Sequence, residues 1–130
     1  MSLPLGAKAE KLRKEIKQMI PETAMEGKAM LEDTDRLTSA DGRVLYSGAV
    51  LHNKVAELRK ELRISDDVGF SVWHFTVGRP IFNGPSSMYI VPLSDKCRII
   101  PGDPLTEGTC LHITDEPLLS PDSTFILFMK

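Results

Sequence analysis

The chain has 130 residues, of which 42% are hydrophobic and 26% charged, with 16 basic and 18 acidic side chains for a formal net charge of -2. That length suits one hydrophobic core and is too short for two, so residues 1–130 are expected to form a single domain. The composition excludes a disordered chain, and the near-neutral charge excludes a general attraction to nucleic acid or to an anionic membrane.

Residues 1–20 are the basic part of the chain, with five lysines and arginines against Glu10 and Glu15. Residues 1–6 run into charge too soon for a secretory leader, no apolar run approaches the ~18 residues of a membrane span, and Cys97 and Cys110 define no disulfide framework. Together these point to the cytoplasm. Ala9, Leu12, Ile16, Met19 and Ile20 recur at helical spacing, which predicts an amphipathic helix over 7–20 that Pro21 stops. Residues 22–32 read as a short second helix weakened by Gly27, and 33–41 as a polar connection.

Asp41-Gly42 has turn chemistry, and a short strand over 43–46 is expected to follow. Leu51, Val55, Leu58 and Leu62 then give the clearest helical period in the chain, a stripe suited to packing on a sheet. After Asp67 the character becomes β. In the run 68–77 Val68, Phe70, Val72, His74 and Thr76 fall on one face, and Ser71, Trp73, Phe75 and Val77 on the other. Both faces are largely apolar, as in a central strand covered on each side. Further strands are expected at 88–93, 97–100, 110–114 and 124–129, with seven of the nine prolines punctuating residues 80–121. The fold class read from this order is α+β, with N-terminal helices packed on a mainly antiparallel, curved C-terminal sheet. The far sheet face meets solvent, a second layer of strands or a partner copy, and Trp73, Phe75 and Val77 call for cover there.

Two of the three histidines share a pattern, His74-Phe75-Thr76 and His112-Ile113-Thr114. Residues two apart on a strand share a face, so each His stands beside its Thr. If both pairs entered one cleft, one imidazole could act as base and the other as acid while the hydroxyls held phosphate. This arrangement resembles the paired His-x-Thr motifs of the 2H phosphoesterase family. The resemblance implies catalysis of phosphodiester cleavage by His74 and His112, with Thr76 and Thr114 binding the phosphate. Only 38 residues separate the two motifs here, whereas two full lobes ordinarily need more chain.

Arg79 could add a bidentate anion contact, and Trp73 beside His74 could wall a ligand. A hairpin joining 97–100 to 110–114 would set Cys97 opposite Cys110 and Asp95 opposite His112, where Asp95 could orient the imidazole. Cys97, Cys110, His112 and His74 could in principle surround zinc, but their spacing matches none of the usual zinc patterns, so no metal or cofactor is expected. There is neither a Gly-rich phosphate loop nor a nucleophile elbow.

The sequence therefore favours a small soluble binding or protein-interaction module without catalysis, self-associating or meeting a protein partner, with a small phosphorylated ligand as a further candidate. A phosphodiester-cleaving enzyme is the alternative, and a small bacterial effector or its antagonist is a third reading.

Overall fold

The computed structural model describes residues 2–20, 35–38, 43–76, 79–80, 88–94, 99–100, 108–113 and 118–129. In chain order the elements are β1 (Ser2–Pro4), α1 (Ala7–Met19), β2 (Asp35–Thr38), β3 (Arg43–Ser47), α2 (Ala49–Glu61), β4 (Gly69–Phe75), β5 (Arg79–Pro80), β6 (Met88–Pro92), β7 (Ile99–Ile100), β8 (Thr109–Ile113), β9 (Leu118–Leu119) and β10 (Ser123–Met129). The fold is α+β. The main sheet runs β1-β8-β6-β10-β4-β3-β2, and a small sheet runs β5-β9-β7. Every strand pair is antiparallel.

Both helices form where their apolar stripes predict. Ala9, Leu12, Ile16 and Met19 of α1 and Leu51, Val55 and Leu58 of α2 are buried. These side chains meet Val44, Tyr46, Val72, Val91, Ile126 and Phe128 in one core on the helix side of the sheet. The α2 stripe thus packs on strands. The two helices also exchange charge pairs, Lys8 with Glu61 at 3.1 Å and Lys54 with Glu15 at 3.5 Å, so they run antiparallel to one another. Among the described residues no helix is long and apolar enough to cross a membrane.

The opposite face carries a second core of Phe75, Met88, Ile90, Ile113, Phe125 and Leu127, joined by Leu119 of β9. A second layer of strands therefore supplies part of the cover that Phe75 demands. β4 pairs with β3 and β10 and is an inner strand, as its two apolar faces imply. β10, at the centre of the main sheet, is inner too, with Ser123 through Phe128 all buried.

Several segments differ from what patterning predicts. Asp35–Thr38, within the stretch read as a connection, is an outer strand of the main sheet, paired with β3. The short segments β1, β5 and β9 lack the length to show any period. The hairpin of 97–100 with 110–114 does not form. Ile99 and Ile100 pair with β9 in the small sheet, while β8 lies between β1 and β6 and has no edge left for them. The helix expected at 22–32 falls outside the described residues.

Candidate functional site

Those of the residues singled out by sequence that the structure describes do not gather at one point. His74, opposite Thr124 on β10 and Val44 on β3, is buried on the helix side, its Nδ1 lying 2.7 Å from the Thr124 hydroxyl. Thr124 is tied in turn, its backbone N–H donating to Ser94 Oγ at 3.3 Å. His112 lies opposite Tyr89 on β6, and Tyr89 opposite Phe128 on β10. The two histidines share the helix-side face, but four positions along β10 and three strand spacings separate them, about 20 Å at ~3.3 Å per residue and ~4.8 Å per strand. One phosphate cannot touch both rings at that distance. The arrangement that resembles a 2H phosphoesterase site is therefore not formed by these two strands, and a zinc ion could not take His74 and His112 together.

Trp73 follows the strand rule and faces away from His74. Its indole N–H donates to Ser71 Oγ at 2.7 Å, its ring meets Phe75 edge to face at 6.0 Å, and the Arg43 guanidinium lies 6.0 Å from it. It cannot wall a site at His74. Thr76 is exposed just beyond β4. Arg79 is placed by its backbone in β5, opposite Leu119. Thr114, Asp95 and Cys97 lie outside the described residues. The proposed orienting pair of Asp95 and His112 lacks its hairpin, because Tyr89 occupies the position opposite His112. Among the described residues no group of three or more His, Cys, Asp or Glu side chains could hold a metal.

His112 belongs instead to a groove of about 500 Å³ at the corner where the helices leave the sheet uncovered. Three parts of the chain build it: the β1–α1 junction (Pro4 to Ala9), the end of α2 (Glu61 to Ile64), and Tyr89, Cys110 and His112 on β6 and β8. The register explains the last three. Cys110 and His112 are two apart on β8, and Tyr89 lies across from His112, so all point to the helix side. The His112 ring stacks on Tyr89 at 4.7 Å between centroids and 22° between planes, with His112 exposed and Tyr89 half-buried.

The floor is apolar and the rim is charged. Leu5, Leu62, Ile64 and Cys110 line the interior. Burial pushes the Cys110 thiol up to about 11, so at neutral pH it is a protonated, weakly nucleophilic group. At the rim stand Lys8, paired with Glu61, and Arg63. Arg63 occupies an unusual backbone position. The N–H of Arg63 donates to the Lys60 carbonyl and that of Ile64 to the Arg59 carbonyl, the paired bonds that close a helix through a left-handed residue. That residue is Arg63 itself, at φ 59°, where glycine would sit at a cost lower by about 1 kcal/mol.

No protein-family model, curated protein or solved structure gives a significant match to this chain. The groove therefore has to be read from its own chemistry. Of its members, sequence reasoning reached His112 and Cys110, and reached both for different pairings. It passed over Lys8, Tyr89 and Arg63. The signal available for Arg63 was an arginine directly after Leu62, the last leucine of the helical stripe, where helix-ending chemistry favours glycine. Nothing local marks Lys8 or Tyr89, because the groove brings together residues from opposite ends of the chain.

Proposed function

We propose that this chain is a small binding module, without catalysis, whose ligand occupies the groove between the start of α1, the end of α2 and the β6–β8 pair. The observation that carries this reading is the combination of an apolar cavity of about 500 Å³ with a rim bearing Lys8, Arg63 and His112. Small-molecule sites are characteristically concave, mostly apolar and furnished with a few convergent polar groups, within roughly 300–1,000 Å³. The absence of catalysis is supported by the chemistry at hand: the Cys110 thiol stays protonated at neutral pH, and His74 lies far from the groove with its Nδ1 against Thr124.

The test is a fragment library screened by amide chemical-shift mapping on the intact protein. Shifts are expected to concentrate on Leu5, Leu62, Ile64, Tyr89 and Cys110. Hits that cluster elsewhere, for example around Trp73, or that scatter over the surface, overturn the assignment. Turnover of a cyclic phosphate ester that His112→Ala abolishes would overturn the non-catalytic part on its own.

A further inference from the structure

We infer that the groove selects an organic anion with a flat ring, the charged group meeting Lys8 and Arg63 at the rim and the ring lying against the Tyr89–His112 stack. The inference rests on the reading of the groove as a ligand site and adds the chemical class. Two independent features lead to it. The first is Arg63, whose side chain is exposed and whose left-handed backbone would be less costly as glycine. The bonds that end α2 are made by backbone groups, so the helix does not need an arginine there. An arginine in this costly backbone conformation, among the residues that line the cavity, fits a role in holding a carboxylate or phosphate. Lys8, held at the same rim by Glu61 at 3.1 Å, adds a second cation, so the basic groups exceed the one carboxylate lining the groove.

The second feature is the parallel pair of Tyr89 and His112. The stack fixes the plane of an exposed imidazole, and a planar ring gains more from such a surface than a flexible chain does. An apolar floor beside this surface and a cationic rim together suit a ligand with a ring at one end and a charge at the other. A carboxylate and a phosphate share that chemistry, and probes of each kind tell them apart.

The experiment is titration of the intact protein, followed by calorimetry and amide shifts, with adenosine monophosphate, 1-naphthoate, adenosine and inorganic phosphate. At least one of the two ring-bearing anions is expected to bind in the groove at least tenfold more tightly than adenosine or phosphate, and which of them binds better identifies the anionic group. Arg63→Gly is expected to weaken that binding about tenfold while raising Tm by a few degrees, a combination that general damage to the fold does not produce. Adenosine binding as tightly as the better of the two ring-bearing anions, or Arg63→Gly leaving affinity unchanged, overturns the inference. So does a groove that responds to neither ring-bearing anion. If the fragment screen nevertheless maps to the groove in any of these cases, the groove stands as the binding site and only the ligand class fails.

Discussion

Cys110 and His74 are both buried polar side chains, and their surroundings give them opposite consequences. The Cys110 thiol has lost water on burial, which raises its pKa from 9.0 to about 11. The folded protein then keeps a proton that the unfolded chain gives up, so this group leaves stability untouched below pH 9 and erodes it as pH rises from 9 toward 11. Between pH 8 and pH 10.5 the native protein is expected to lose about 2 kcal/mol more unfolding free energy than a Cys110→Ala variant, measured by denaturant titration. His74 is held by the Thr124 hydroxyl. Replacing it with Ala removes that bond within a buried site, and a loss of about 1–3 kcal/mol of stability is expected, whereas His112→Ala at the exposed rim is expected to cost less than about 1 kcal/mol. Equal losses in the two variants would contradict the burial difference. Gly108 offers a third test at this scale. It sits at φ +86°, its carbonyl accepts the Leu5 N–H at 2.8 Å, and a Cβ there would come 2.5 Å from a carboxylate oxygen of Glu10. Glu10 is itself engaged with Arg13, so it yields at a cost, and Gly108→Ala is expected to destabilise by about 1–2 kcal/mol.

At the scale of elements, what was legible depended on length. α1, α2, β4 and β10 each extend over enough residues for a period or an apolar run to show, and each lies within a residue or two of its predicted span. The short strands β1, β5 and β9 carry no such signal. Partner choice was less legible than element type, because pairing is decided by residues far apart in sequence. Reading 97–100 and 110–114 as neighbours in a hairpin was the local solution, and insertion of β8 between β1 and β6 prevailed over it. The same limit hid the groove, which takes Lys8 from α1, Arg63 from the turn after α2 and Tyr89 from β6. Energetically the helices are held by their buried stripes. Leu58 is fully buried, and Leu58→Ala is expected to cost about 2–5 kcal/mol in unfolding measurements. The charge pair of Lys8 with Glu61 is largely exposed on the lysine side, so Lys8→Ala is expected to change stability by less than about 1 kcal/mol, which leaves that variant usable as a probe of binding.

At the scale of the molecule, two apolar layers are separated by one sheet, and β10 contributes to both. Phe125 and Leu127 enter one core, and Ile126 and Phe128 the other. The strand also supplies the backbone partners of both β4 and β6. Without residues 123–129 the two halves of the main sheet would have no common neighbour, and a protein ending at residue 122 is expected to lack a cooperative unfolding transition. The position of β10 also bears on how the protein is made. The ribosome delivers the centre of this sheet after every other described strand, so throughout synthesis β4 and β6 wait with open hydrogen-bonding edges and uncovered apolar faces. The nascent chain is thus exposed to sticking and to chaperones until its closing strand emerges, and pauses in translation before Ser123 prolong that interval.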